Sequence, residues 1–148
     1  MILIFKMKIS IPIFPLQVEQ GGLHLLVKSR FDFKIKGYSI IDTGASISAF
    51  DKNFCEQFSE LLINIKDIQS SGITKESLNA VVVKFNKFYL SKYSFEINQA
   101  VLIDLSHINS LYKQFTNKLI IGIIGGNFLE EHKAVINYKS NKLILDTF

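Results

Sequence analysis

The stretch Ile40-Ile41-Asp42-Thr43-Gly44-Ala45-Ser46 decides the fold of this chain. Its two isoleucines end an apolar, strand-like segment, and the aspartate follows them directly. A carboxylate placed immediately after a buried strand is costly unless hydrogen bonds or a function hold it there. Two interpretations are open at this point: Asp42 begins a β-turn and accepts local amide hydrogens, or it carries chemistry.

A second segment, roughly eighty residues downstream, favours the chemical interpretation. Leu119 to Leu129 runs as an apolar strand, then Ile-Gly, then a helix that opens with Phe-Leu. In this order and at this separation, the two segments resemble the paired motifs of the retropepsin-like aspartic proteases. The resemblance extends from about Leu23 to Leu145 and includes two closing strands.

The resemblance implies an all-β fold, a retropepsin-like acid-protease barrel with short helices in a single lobe. The predicted protease domain is residues 21–148. It is preceded by an N-terminal strand or arm, residues 1–20, whose role the sequence leaves open. That segment has no clear counterpart in the family, so it could complete a dimer interface, cover the cleft as a pro-segment or be disordered.

The chain has a single Asp-Thr-Gly, so the resemblance implies a symmetric homodimer in which each copy supplies one Asp42. Two facing carboxylates share one proton, because two nearby negative charges cannot easily both form. The ionised carboxylate takes a proton from a water molecule that attacks the peptide carbonyl, and the protonated one hydrogen-bonds the carbonyl oxygen. The implied activity is that of an aspartic endopeptidase acting on a peptide or protein substrate, with no cofactor and no metal.

The resemblance also gives roles to the residues around Asp42. Thr43 would hydrogen-bond across the dimer axis, and Gly125 would let the strand that ends at Ile124 pass close behind Asp42. The substrate would bind as an added strand against the loop that follows the aspartate. The predicted substrate-binding residues of this loop are Gly44, Ala45 and Ser46.

A hairpin flap over the cleft is a further family feature, and its predicted position is Ser70 to Glu76. This stretch lies between two strand-like segments and carries small, polar residues that suit a turn. The predicted contacts of the flap with substrate are Gly72, Ile73 and Thr74. The prediction rests on position alone, and the alternative is an ordinary β-turn.

Two positions depart from the viral members of the family, which place an acid after the alanine and an arginine in the second motif. Here these positions are Ser46 and Gly126, so the charged brace is absent. The serine is shared by many cellular members and favours a cellular or bacterial type. The glycine pair Gly125-Gly126 is unusual and predicts a looser start of the following helix.

Hydrophobic periodicity predicts a chain made mostly of strands. The predicted strands are Leu23–Val27, Phe31–Ile35, Leu61–Ile68, Leu78–Leu90, Tyr93–Leu105 and a closing hairpin of Lys133–Tyr138 with Lys142–Leu145. The predicted short helices are Asp51–Phe58, Ser106–Phe115 and Asn127–Glu131, with Ser106 as a capping residue.

Composition excludes several other classes of protein. The 148 residues, 48% of them hydrophobic, suit one domain with a substantial core. The single cysteine, Cys55, rules out an internal disulfide and a cysteine-based zinc site. We expect a half-buried thiol there rather than a nucleophile with His107 or His132 as its general base. The three histidines are too scattered to suggest a metal site.

Charge and hydropathy argue against nucleic-acid and membrane partners. The net charge is +4, but Arg30 is the one arginine among 17 basic residues, and the lysines are scattered along the chain. Nucleic-acid readers depend on arginine, so a solvated lysine surface is expected instead. The apolar opening, Met1 to Leu16, is interrupted by lysines and prolines, which predicts neither a membrane span nor a signal peptide. The expected location is therefore the cytoplasm.

Three functional hypotheses remain open. The first is the homodimeric endopeptidase. The second is the same fold used as a catalytically weak or inactive peptide-binding and dimerisation module, which the missing brace and the doubled glycine favour. The third is a monomeric all-β domain in which Asp42 is a turn residue. The intact Asp-Thr-Gly favours the first, since a retired site tends to lose its acid.

Overall fold

A computed structural model of the chain describes residues 6–20, 22–62 and 81–147. Its strands are β1 (Met7–Pro12), β2 (Phe14–Glu19), β3 (Gly22–Phe31), β4 (Ile35–Ile41), β5 (Ser48–Asp51), β6 (Ser59–Leu61), β7 (Val81–Leu90), β8 (Tyr93–Ile103), β9 (Ile120–Ile124), β10 (Val135–Asn137) and β11 (Lys142–Thr147). Its helices are α1 (Lys52–Cys55), a 3-10 turn (Glu56–Phe58), α2 (Ser106–Tyr112) and α3 (Gly126–Glu131). Within these ranges, every helix falls short of the length and apolar character that crossing a membrane requires.

The larger sheet has the strand order β2-β3-β4-β9-β5-β8-β7-β6, and an additional pairing joins β3 to β7. That pairing closes a ring of six strands, which are β3, β4, β9, β5, β8 and β7. The predicted all-β barrel with short helices is therefore confirmed. Closure removes exposed strand edges from the ring, and side chains of alternate residues fill its interior.

Two parallel pairings bring distant parts of the sequence together. Strand β4 runs parallel to β9, with Ile41 opposite Ile124, and β5 runs parallel to β8. Four of the five residues of β9 are buried, as expected for a central strand covered on both faces. The parallel pairing of β4 and β9 places the ends of the two sequence motifs side by side.

The N-terminal segment takes part in both sheets of the fold. Strand β1 pairs antiparallel with β11 in a three-stranded sheet, and β2 pairs antiparallel with β3 at the edge of the larger sheet. Ile9, Ile11 and Ile13 are buried in the main hydrophobic core. The boundary between residues 1–20 and 21–148 stays a prediction, but the first segment contributes both backbone pairing and core side chains.

Phenylalanines form the centre of the core. Phe31, Phe50, Phe85 and Phe88 are fully buried, and their ring centroids lie 4.7 to 5.6 Å apart in the neighbouring pairs. Each buried phenylalanine contributes about 1.5–3 kcal/mol through the area it removes from water. Edge-to-face geometry between aromatic rings adds a smaller favourable term.

Two local predictions are wrong. The predicted strand Phe31–Ile35 is interrupted by a turn over residues 32–34, where Asp32 takes a left-handed φ of 55°. An aspartate tolerates this conformation better than a β-branched residue does. Ser106 does not cap α2, because Leu105 is the N-cap residue. Instead the backbone nitrogen of Ser106 donates to Asp104 Oδ1 over 2.9 Å.

Candidate active site

Asp42 leaves the end of β4 and enters a tight loop. Its backbone nitrogen donates to the carbonyl oxygen of Ile124 over 2.9 Å, which continues the pairing of the two parallel strands. Its side chain is exposed, and Oδ1 accepts a hydrogen bond from the backbone nitrogen of Gly44 over 3.0 Å. This is the local amide bond that a turn aspartate makes, and it leaves Oδ2 free of protein donors in the described part of the chain.

Asp51 shows what a structural aspartate looks like in this protein. It is buried at the end of β5, and both of its carboxylate oxygens are used. Oδ2 accepts from the backbone nitrogen of Phe54, and Oδ1 accepts from that of Leu105. Asp42, by contrast, presents its carboxylate at the surface, where a reacting molecule can reach it.

Backbone hydrogen bonds join the second motif to the loop after Asp42. The nitrogen of Gly126 donates to the carbonyl oxygen of Ala45 over 2.6 Å, and that of Asn127 donates to Ser46 over 3.2 Å. The expected loosening at the glycine pair is therefore not observed, because the first two residues of α3 are both bonded to the loop.

Position 125 needs a glycine because there is no room for a side chain, although the backbone conformation there suits any residue. A Cβ atom at this position would lie 2.8 Å from the carbonyl carbon and oxygen of Ile47 and 2.9 Å from the oxygen of Ala45. These are backbone atoms, which cannot swing aside as a side chain can. A side chain at position 125 would therefore push the loop away from the second motif.

Ser48 and Asn127 form a neutral brace between the two motifs, and neither residue belongs to the predicted site. Asn127 Oδ1 accepts from both the backbone nitrogen and the hydroxyl of Ser48, over 2.8 and 2.9 Å. The same hydroxyl accepts from the backbone nitrogen of Gly125 over 2.9 Å, and Asn127 Nδ2 donates to Gln99. This network of neutral hydrogen bonds links the loop after Asp42 to the second motif. A charged pair at positions 46 and 126 would link the same two segments, but these residues are serine and glycine.

A cavity of about 290 Å³ lies beside the Asp42 carboxylate. Its lining comes from four elements and includes His24, Leu23, Ile41, Asp42, Thr43, Ile136 and Tyr138. The antiparallel register of β3 and β4 sets Leu26 opposite Ile40, and its continuation by two residues puts His24 level with Asp42. No local motif marks His24 in the sequence, because only the pairing of β3 with β4 brings it to the site.

The ring of His24 is held in place by a tyrosine. Its Nδ1 is hydrogen-bonded to the hydroxyl of Tyr112, on α2. Tyr112 is buried, and burial raises its pKa to about 12. The phenol therefore stays protonated at ordinary pH and can donate to the imidazole.

The structure gathers most of the predicted site residues into one place. The residues brought together around the loop are Asp42, Thr43, Gly44, Ala45, Ser46, Ile124 and Gly125. The predicted flap residues Gly72, Ile73 and Thr74 lie outside the described residues. The roles assigned to all of these residues stay predictions.

Cys55 is not placed to act as a nucleophile. Its side chain is fully buried, and its thiol donates weakly to the carbonyl oxygen of Ile121 over 3.6 Å. Burial raises the pKa of this thiol to about 12, and the nearby charge of Asp51 acts in the same direction. A thiol protonated at neutral pH is a poor nucleophile. Among the described residues, acidic, histidine and cysteine side chains do not form a group that could hold a metal ion.

Comparison with known proteins places the fold. No family model matches the sequence, and no curated protein matches it. The structure is similar to the retroviral protease-like domain of Ddi1 from Leishmania major, with a TM-score of 0.55 and 16% identity over 84% of this chain and 90% of that one. It also matches a retropepsin-like aspartic protease from Rickettsia conorii, with a TM-score of 0.47 and 20% identity over 96% of this chain and 90% of that one.

The chain therefore has a retropepsin-like fold in a single lobe, as the two motifs predicted. At 16% identity, the likeness to the Ddi1 domain establishes the fold alone.

Proposed function

We propose that this protein is a homodimeric aspartic endopeptidase in which each copy contributes one Asp42 to a shared catalytic dyad. The observation that carries the proposal is the exposed carboxylate of Asp42, held by backbone hydrogen bonds at the junction of the two motifs. Rigid positioning of an acidic group at an accessible surface is what general acid–base catalysis needs.

One carboxylate cannot perform the reaction alone. In the proposed dimer, two Asp42 side chains lie close together and share one proton, because like charges at short range cannot both form easily. The ionised member removes a proton from water, and the water oxygen attacks the carbonyl carbon of the scissile bond. The protonated member donates to the carbonyl oxygen, and the proton removed from water is later delivered to the leaving amine.

Apolar side chains beside the site support a two-fold interface there. Leu23 is 48% exposed and Tyr138 is 65% exposed, and both line the cavity next to Asp42. A second copy related by a two-fold axis would cover this surface with the same residues of its own. Thr43, which is exposed in the single chain, would then face its counterpart across the axis.

A peptide substrate would lie in an extended conformation along Gly44, Ala45 and Ser46, with alternate side chains in pockets. Main-chain hydrogen bonds would give general affinity, and the pockets would give selectivity. The flap predicted over Ser70 to Glu76 belongs to this proposal and would cover the bound peptide.

The test is cleavage of a mixed-sequence peptide library across roughly pH 3 to 7.5, because the dyad must hold one proton. Wild type should cut with a bell-shaped pH profile. Asp42→Asn should lose at least about a hundredfold in rate. The matched control is Asp32→Asn, an exposed turn residue at the far end of β4 that tolerates asparagine, and it should cut like wild type.

Equal cutting by wild type and Asp42→Asn would sink the assignment of the catalytic residue. A wild-type protein that is dimeric in sedimentation but cuts nothing would contradict the protease proposal. That result would favour the peptide-binding module with the same fold.

A further inference from the structure

Lysines that are scattered along the sequence come together around the β3–β4 turn. In the antiparallel register Arg30 lies opposite Lys36, and Lys28 lies opposite Tyr38, so these side chains share one face of the barrel. The turn after β7 and the segment before β9 add further cations to this end. The clustered cations are Lys28, Arg30, Lys34, Lys36, Lys92 and Lys118.

Positive charge is concentrated at this end of the barrel. Among the described residues, the six cations and Asp32 of the turn give +5, whereas the other 9 basic and 10 acidic residues give −1. The ion pair of Lys84 with Glu60 lies elsewhere and involves none of the six cations. Like charges opposite each other across two strands are unfavourable, so this cluster is retained at some cost to the folded state.

Aromatic rings hold several of these cations in place. The guanidinium carbon of Arg30 lies 3.7 Å from the ring centroid of Tyr89. The ammonium nitrogen of Lys28 lies 5.3 Å from the centroid of Phe14, and that of Lys118 lies 5.4 Å from the centroid of Tyr38. Cation–π contacts of this kind restrict long side chains before any partner arrives, which lowers the entropy lost on binding.

The ordered cations line two adjoining grooves of about 360 and 750 Å³. Lys28 and Lys36 line both, so the two grooves adjoin, and together they are called the basic furrow here. We propose that this basic furrow, lined by Lys28, Arg30, Lys36, Lys92 and Lys118, binds an acidic segment of a protein partner, rich in aspartate and glutamate. The charges and the concave shape both match an extended anionic chain.

The furrow suits carboxylates better than a nucleic acid. Arg30 is the single arginine of the chain, and its Nη1 already donates to the carbonyl oxygen of Asp32 while its plane lies over Tyr89. The ring of Tyr38 is already engaged by a cation, because the ammonium nitrogen of Lys118 lies 5.4 Å from its centroid, whereas base stacking needs a free ring face. The remaining lysines are point charges, which attract side-chain carboxylates without bidentate geometry.

A membrane surface fits less well, since the cations line a concave furrow and Phe33 is the one strongly exposed apolar side chain in its lining (77% exposed). The furrow begins at Tyr38, about 13 Å along β4 from Asp42, and none of its lining residues lines the cavity beside Asp42. Its proposed role is therefore independent of the proposed catalytic site and stands whether or not the protein cuts peptides.

The experiment measures binding of a fluorescein-labelled decaglutamate peptide to the full chain by fluorescence anisotropy. The test variant is Lys28→Gln/Lys36→Gln/Lys118→Gln. The matched control is Lys8→Gln/Lys52→Gln/Lys139→Gln, which removes the same charge from exposed lysines elsewhere. Thermal unfolding of both variants verifies that they fold.

Wild type should bind the peptide, more weakly as salt is raised. The furrow variant should bind about tenfold more weakly, as expected when three exposed charge pairs are lost together, and the control should match wild type. Asp42→Asn should also bind like wild type, which separates the furrow from the proposed cleft.

Equal weakening in the two triple variants would overturn the proposal, because bulk charge rather than the furrow would then explain binding. It would also be overturned if a single-stranded oligonucleotide or vesicles with anionic lipid bound more tightly than decaglutamate and lost that binding in the furrow variant. Failure of wild type to bind decaglutamate at low salt would contradict it directly.

Discussion

The two ends of strand β4 are held by different forces. At its carboxyl end, the loop after Asp42 is joined to the second motif by neutral hydrogen bonds and by the close approach of Gly125. At its amino end, the positively charged side chains of Arg30 and Lys36 lie opposite each other across β3 and β4, and Arg30 packs on the ring of Tyr89. Substitutions at the carboxyl end should therefore lower the free energy of unfolding. Removal of positive charge at the amino end should raise it, because it removes repulsion between like charges.

The largest effect is expected from Gly125→Ala. The added Cβ would lie within 2.9 Å of backbone atoms of Ala45 and Ile47, so the loop must move. We expect a loss of about 3 kcal/mol in the free energy of unfolding, measured in urea. Gly126→Ala is the matched control, because its Cβ meets Ala45 at 3.3 Å, and its loss should be smaller. Equal losses at the two glycines would contradict the role given to Gly125.

Ser48→Ala tests the neutral brace. It removes the hydroxyl that accepts from Gly125 and donates to Asn127, and it leaves a buried donor without its partner. The expected cost is about 2 kcal/mol in the free energy of unfolding. Ser46→Ala, an exposed position in the same loop, should change stability by less than about 0.5 kcal/mol. A Ser48 variant as stable as the Ser46 variant would show that the brace does not hold the motifs together.

The buried thiol behind β9 predicts a loss of stability in mild alkali. The folded Cys55 has a pKa raised to about 12, against an ordinary value of 9.0. The buried, protonated thiol makes its full contribution to the free energy of unfolding below pH 9.0. This contribution is lost as the pH rises towards 12, because the thiol ionises in the unfolded chain but stays protonated in the folded one. Between pH 8 and 10, wild type should lose about 1 kcal/mol more than Cys55→Ala does, in urea titrations. Parallel curves for the two proteins would contradict the burial argument.

The smallest effect is expected at the basic end. Lys36→Glu replaces a like-charge pair with Arg30 by an opposite-charge pair. The free energy of unfolding should rise by about 0.5 kcal/mol, and the gain should shrink in high salt. Lys139→Glu, in an exposed turn, serves as the control and should show little change. A destabilised Lys36 variant would mean that the opposed charges carry no strain.

These two ends also differ in how far the sequence predicts them. Asp42 and Gly125 stand in contiguous motifs, so the loop, the parallel pairing behind it and the retropepsin-like fold follow from local sequence. Ser48 and His24 lie outside those motifs, and only strand pairing brings them to the site. The basic furrow could not be predicted from the sequence either, because its cations are far apart along the chain and only the fold brings them together.

The mistaken predictions have local physical causes. The alternation in Phe31–Ile35 resembles a strand, but the left-handed φ of Asp32 turns the chain there. Ser106 has the residue type of a cap, yet Asp104 supplies the oxygen that bonds its backbone nitrogen. Periodicity describes which residues are apolar, and it does not reveal a single residue that changes the direction of the backbone.

The central claim is that two chains share one dyad, and mixing protomers tests it most directly. Wild type and Asp42→Asn are mixed in equal amounts, allowed to exchange subunits, and assayed for peptide cleavage at fixed total protein. If both copies must supply Asp42, only dimers of two wild-type chains are active, and the rate should fall to about a quarter of the wild-type value. A rate of about half would mean that each chain works alone and would contradict the shared dyad.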